Sequence, residues 1–200
     1  MHIELTEMLR CPEPHEEAFL VMSTGEMLGR MVRSGVLACP TCGREYPIVK
    51  GVVQFSASSL APSGTASRSP LPVDPQTLQA LLELSGPGGY VVLVGCSARH
   101  AIGLAGLMSG IHFVGVNAPG DVEELPMLSL LECHTMIPLR QAVARGVVVG
   151  QECLGQQWLG EAQRVLLRGR RLVIESEQVA TPAGLTRLAL GHGLFVGERR

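Results

Sequence analysis

Tyr90-Val91-Val92-Leu93-Val94-Gly95 is an unbroken apolar run with no polar residue at alternate positions. It is far shorter than the ~18 residues a membrane helix needs. Such a run suits a strand that meets water on neither face, as in the middle of a sheet covered by helices on both sides. The surrounding signals agree. Ala98–Met108 has helical spacing, Ile111–Val116 reads as the next strand, Ser129–Met136 as a third and Gly146–Gly150 as a fourth. Trp158–Leu167 reads as a helix and Arg171–Glu175 as a fifth strand. Thr181–Leu190 is expected to be helical with Pro182 in its first turn, and Leu194–Gly197 closes the chain. Alternating β and α signals of this kind predict an α/β fold with a Rossmann-like, doubly wound sheet.

Ser56–Gln76 reads SASSLAPSGTASRSPLPVDPQ, a linker composition without apolar period. The expected division is a small β domain at 1–55, a linker at 56–76 and an α/β domain at 77–200. In the first part Ala18–Met22 and Met31–Leu37 read as short strands, and Tyr46–Phe55 as a hairpin around Lys50-Gly51. A unit this small needs a staple beyond its core. Cys39-Pro40-Thr41-Cys42-Gly43 is a metal-binding knuckle, and Cys11 and His15 can complete a tetrahedral set from a second loop. Zinc is the expected ion. The alternative is a ribbon without metal that keeps Cys39 and Cys42 as small buried residues. A redox role is disfavoured, because no thioredoxin-like helix start follows Cys42.

Composition excludes several chemistries. Lys50 is the sole lysine and lies in Val49-Lys50-Gly51, so a Walker P-loop is absent. Asp74 and Asp121 are the sole aspartates, which argues against a two-metal phosphoryl-transfer site. A GC-rich genome is the plain explanation for both scarcities. The net charge of -2 does not favour tight non-specific binding of RNA or DNA. No membrane span and no secretory leader is apparent, so the expected location is the cytoplasm, with reduced cysteines.

Leu9-Arg10-Cys11-Pro12, followed by Cys39-Pro40-Thr41-Cys42-Gly43-Arg44-Glu45-Tyr46-Pro47-Ile48-Val49-Lys50-Gly51-Val52-Val53, resembles a small zinc-ribbon family. That family includes the activator subunit of tRNA, rRNA and release-factor methyltransferases. Its bacterial members read L-x-C-P-x-C, then C-x-x-C-G-x-x-Y-P-I-x-x-G-I-P. The family's second cysteine falls at Pro14, which cannot ligate, and His15 stands one residue later. The resemblance therefore implies zinc held by Cys11, His15, Cys39 and Cys42.

Gln157–Glu175 resembles the helix and fifth strand of class I S-adenosylmethionine-dependent methyltransferases, commonly L-x-E-x-x-R-V-L-K-P-G-G-x-L-V-I. Val91–Ala105 falls at that family's first strand, glycine loop and first helix, Val114–Asn117 at its second strand, and Met136–Leu139 near its L-P-F. The resemblance implies S-adenosylmethionine as cofactor, with Gly95, Ser97 and Asn117 at its binding positions. The departures fall on the same positions. Where the family has D/E-x-G-x-G-x-G, this chain has Gly95-Cys96-Ser97-Ala98-Arg99-His100. Asn117 replaces the ribose-binding acid, Cys133 the acid near the adenine, and Arg145-Gly146 the F-D of the fourth strand. The family's sheet has seven strands ending in an antiparallel hairpin, and the residues after Glu175 read as one helix and one strand, so a truncated sheet is expected.

These departures imply no catalytic residue and a non-catalytic pseudo-methyltransferase: a partner, scaffold or regulatory subunit, of a second methyltransferase or of a homo-oligomer. The alternative is an active S-adenosylmethionine-dependent methyltransferase with an atypical cofactor loop, acting on RNA or protein. A third reading is a binding module for another small ligand in the altered pocket. Cys96, Ser97, His100 and His134 are expected near the strand ends, where a Cys–His nucleophile pair is one chemistry, but Cys96-x-x-x-His100 reads rather as a buried cysteine and the first turn of a helix. His112 reads as a filler or edge histidine.

Overall fold

The structure, a computed structural model, describes residues 1–56, 71–123 and 125–200. Most of the expected linker, 57–70, lies outside the described residues.

The chain opens with a short 3-10 turn, Ile3–Met8. β1 is Val21–Thr24, β2 Met27–Leu28, β3 Met31–Val32, β4 Gly35–Ala38, β5 Glu45–Val49 and β6 Val52–Gln54. The strand expected at Met31–Leu37 is thus two strands. β4 and β5 pair antiparallel, as do β5 and β6. The hairpin at Lys50-Gly51 forms as expected. Both residues have positive φ, 50° and 81°, which matches the twist of a two-residue turn.

A helix that the sequence reading missed, α1 (Pro75–Leu81), follows. Asp74 caps it by accepting from the Thr77 backbone N–H at 2.9 Å, and Pro75 stands in the first turn. Asp-Pro ahead of a Leu-containing stretch was the readable signal. Next come β7 (Tyr90–Val94), a 3-10 turn at Gly95–Arg99, α2 (His100–Leu107), β8 (His112–Val116) and β9 (Leu128–Glu132). The chain ends with β10 (Ala144–Val149), α3 (Gln156–Val165), β11 (Leu166–Ile174), β12 (Leu185–Gly191) and β13 (Leu194–Arg199).

Among the described residues the main sheet has 11 strands in the order β1-β4-β5-β6-β9-β8-β7-β10-β11-β13-β12. The pairs β9–β8, β8–β7, β7–β10 and β10–β11 are parallel. The fold is α/β with a large, parallel-rich sheet. Two expectations are corrected. Thr181–Leu190 is not a helix: Leu185–Gly191 is a strand, paired antiparallel with β13. Its mostly exposed burial pattern belongs to an edge strand, so pairing rather than side-chain burial sets its conformation. Consequently the sheet from β7 to β13 is not truncated: seven strands are present and end in an antiparallel hairpin.

The two halves share this sheet. β6 pairs in parallel with β9, placing Val52 opposite Leu130 and Val53 opposite Leu131. Alternation along the strands sends residues to two cores. Val92, Val94, Val114, Val116, Val147 and Val149 join Leu159, Ala162 and Val165 of α3, and also Met1, Leu5, Leu9 and Tyr46 of the first half. Val91, Leu93, Phe113 and Val148 pack instead with Leu78 and Leu82 around α1 and with Ala101 and Leu104 of α2. Among the described residues no helix is long and apolar enough to cross a membrane.

Candidate functional site: a cysteine–histidine cluster and an altered strand-end cleft

Cys11, His15, Cys39 and Cys42 are brought together as the spacing predicts. One ligand atom from each lies within 4.8 Å of every other. A zinc ion sits about 2.3 Å from sulfur and about 2.0 Å from imidazole nitrogen, so tetrahedral geometry places two thiolate sulfurs about 3.8 Å apart and a sulfur–nitrogen pair about 3.5 Å apart. Cys11 Sγ and Cys42 Sγ are 3.8 Å apart, and Cys39 Sγ and His15 Nε2 are 3.5 Å apart. The ring of His15 is oriented from its far side: Nδ1 lies 2.6 Å from the Glu16 carbonyl, to which it donates when Nε2 serves as ligand. The knuckle closes through the Gly43 N–H, which donates to the Cys39 carbonyl at 2.9 Å, with Gly43 at φ +70°. Burial pushes the Cys39 thiol up, but backbone N–H groups of Cys42 and Thr41 outweigh it and hold the thiol at about 6. The Tyr46 hydroxyl lies 3.1 Å from Cys11 Sγ, which gives the Tyr-Pro-Ile segment a direct part in the cluster. The donor set fits a structural zinc ion.

The carboxyl ends of the parallel strands form the second candidate site. A cleft of about 800 Å³ opens there, lined among others by Cys96, Arg99, Gln151, Glu175 and Glu177. The three residues placed at cofactor positions are all engaged with the protein itself. Ser97 is buried, and its hydroxyl is 2.9 Å from the Val94 carbonyl and 3.1 Å from that of Val148. Asn117, at φ +52°, forms a reciprocal pair with the Cys133 backbone. Its Nδ2 donates to the Cys133 carbonyl at 2.8 Å, and its Oδ1 accepts from the Cys133 N–H at 2.8 Å. Gly95 has φ +69°, and the Glu152 carboxylate lies where a side chain at Gly95 would stand. The same carboxylate accepts from the Cys96 N–H. The loop thus directs a backbone amide at an acid of its own chain.

The remaining groups do not form a nucleophilic pair. Cys96 is pushed up to about 11, chiefly by burial and then by the charge of Glu152, so its thiol stays protonated at neutral pH. His100 is fully buried, with Nε2 2.7 Å from Glu175 Oε1, and His134 is exposed. Arg99 is held by Asp121 at 3.1 Å.

The sequence reading missed the roles of three polar residues. Arg145, at the start of β10, donates to the carbonyls of Gly86, Pro87 and Gly88 and also contacts that of Ser85, pinning the loop ahead of β7. In α3, Glu161 accepts from the Ile137 N–H at 2.9 Å, while Arg164 donates to the carbonyls of Leu139 and Ile137 at 2.7 Å. The Glu-x-x-Arg part of the helix motif therefore clamps the segment after β9.

One mutation tests the Asn117 arrangement. Asn117→Asp replaces a donor with an oxygen facing the Cys133 carbonyl. We expect a loss of about 1–3 kcal/mol, the cost of leaving a partly buried acceptor opposed rather than bonded. Urea unfolding measures it, and unchanged stability would show the pair to be dispensable.

No known protein-family profile matches this chain, and no curated protein matches it. Solved structures do show similarity. A complex between the Haloferax volcanii Trm112 methyltransferase activator and a protein described as a methyltransferase aligns at 18% identity and TM-score 0.40, covering 49% of this chain and 50% of the solved one. A geranyl diphosphate methyltransferase in complex with GPP and sinefungin aligns at 18% identity and TM-score 0.43, covering 50% and 42%. An S-adenosylmethionine-dependent methyltransferase from Aquifex aeolicus aligns at 16% identity and TM-score 0.46, covering 63% and 88%. The chain thus spans half or less of the length of the first two.

Proposed function

We propose that this chain is a zinc-ribbon protein joined to a non-catalytic, methyltransferase-like α/β domain, and that it acts as a protein partner or regulatory subunit. The observation that carries the reading is the Asn117–Cys133 pair: both polar atoms of the side chain at the ribose position are bonded to backbone. Glu152 supports it by covering Gly95 and the Cys96 N–H, where an incoming carboxylate would compete with one already present. The residues do not fit S-adenosylmethionine. Cys11, His15, Cys39 and Cys42 do fit zinc. There the ion supplies no reaction step and serves as the fastening of the small β unit.

What the chain retains supports a partner role. It keeps the sheet, the cleft and the ribbon while lacking an acid at Asn117 or Cys133 and further glycines after Gly95. Fold alone confers no activity. Partners of the expected kind are a second methyltransferase or another copy of this chain, in the cytoplasm. Titration calorimetry with S-adenosylmethionine is the test. We expect no heat of binding up to millimolar ligand, for the wild type and for Glu152→Ala alike, since Asn117 stays engaged in both. Micromolar binding by the wild type would overturn the non-catalytic reading and favour the active methyltransferase. Binding that appears only in Glu152→Ala would assign the block to Glu152 rather than to Asn117.

A further inference from the structure

We propose that His2, Glu4 and His112 form a second metal site, separate from the cysteine cluster, in which a divalent transition-metal ion ties the first residues of the chain to the amino end of β8. One ligand atom from each of the three lies within 4.8 Å of the other two. The two imidazole rings have centroids 4.5 Å apart and are inclined at 49°. His2 Nδ1 is 3.9 Å from Glu4 Oε2. Ligand atoms about 2.0–2.2 Å from a common tetrahedral ion stand about 3.3–3.5 Å apart, so small side-chain rotations close the set.

The backbone already holds the three residues in place. The His2 N–H donates to Ser129 Oγ at 2.9 Å, and His2 also bridges to Met31. His112 is the first residue of β8, opposite Tyr90 in the parallel ladder. Glu4 divides its carboxylate: Oε1 meets the Arg30 guanidinium, and Oε2 faces His2. Arg30 thereby orients the ligand without occupying the oxygen that the ion needs. His112 Nδ1 is buried with no hydrogen-bond partner, a cost that an interior usually avoids. Two imidazoles and one carboxylate suit zinc, nickel, copper(II) or cobalt(II). Glu4 is half exposed, so water can complete the coordination.

The test titrates metal-stripped protein with Co2+ and follows the visible and near-ultraviolet spectrum, with Zn2+ competition as a check. The thiolate-rich cluster gives intense sulfur-to-metal charge transfer, whereas a His–His–Glu site adds d–d absorption alone. We expect two equivalents in the wild type, the second without charge transfer. Glu4→Gln is expected to weaken the second equivalent at least tenfold, and His112→Ala to abolish it. Retention of the first, sulfur-bound equivalent in both variants reports that they remain folded. A wild type that binds one sulfur-bound equivalent alone, or variants that keep the second unchanged, would overturn the proposal. Loss of the sulfur signal with retention of the second site would instead count against the zinc ribbon, so the two readings fail separately.

Discussion

Stripping metal from the Cys11–His15–Cys39–Cys42 cluster is expected to lower the melting temperature of the chain by about 10–20 °C. The apparent binding energy of a structural zinc ion is of order 10 kcal/mol at neutral pH. Half of it lost as folding free energy, at about 2–4 °C per kcal/mol for a chain of this size, gives that shift. The effect is not confined to the knuckle. Cys11, Cys39 and Tyr46 belong to the same buried cluster as Val92, Val116 and Leu131 of the α/β half. Calorimetry with and without a chelator, alongside metal analysis of Cys39→Ser and His15→Ala, measures the effect. Cys39→Ser should lose the ion, and His15→Ala should bind it more weakly. Unchanged zinc content in His15→Ala would remove the histidine from the ligand set. A melting temperature indifferent to chelation, in protein that contains no zinc, would favour the ribbon without metal.

The second large effect concerns the floor of the cleft. Glu175→Ala should destabilise the protein by about 3 kcal/mol, since it strands a fully buried histidine against a site built for a carboxylate. The corresponding fall in melting temperature is about 6–12 °C. His100→Leu combined with Glu175→Met should recover most of the loss, because apolar groups of similar volume leave no polar atom unpaired. A double-mutant cycle reads the coupling. A Glu175→Ala protein within 1 kcal/mol of the wild type would assign the pair no part in stability.

The central strands were legible because their residues answer to one demand. Val91–Val94, Phe113–Val116 and Val147–Val149 are buried on both faces, and sequences under that demand are apolar throughout. The convergence of Cys11, His15, Cys39 and Cys42 was legible because ligand chemistry restricts residue type and spacing together. β12 was not. Thr-Pro-Ala-Gly-Leu-Thr-Arg-Leu-Ala-Leu carries good helix formers, and the strand is mostly exposed, so no alternating pattern marks it. The signal lay one step further on. His192 and Gly193, at φ +55° and +77°, form the two-residue turn of a hairpin between Gly191 and Leu194. Read as the end of a helix, the same residues conceal the final strand pair. The engagement of Asn117 and Gly95 was illegible for another reason. Residue types could be set beside a methyltransferase pattern, but only three dimensions show that Asn117 bonds the Cys133 backbone and that the Glu152 carboxylate lies against Gly95.

The parallel pairing of β6 with β9 bears on how the molecule can be divided. Cutting the chain between 57 and 70 is the obvious way to obtain each half for biochemistry. It would leave β9 with the bare edge of a hydrophobic strand, and β6 with the same, and unpaired edges recruit neighbours indiscriminately. Two separate fragments would therefore aggregate or find each other, at a rate set by their concentration. In the intact chain the tether keeps that concentration high regardless of expression level. Co-expressed fragments that reassemble would be the more informative preparation, because the strength of their association reports directly on the seam.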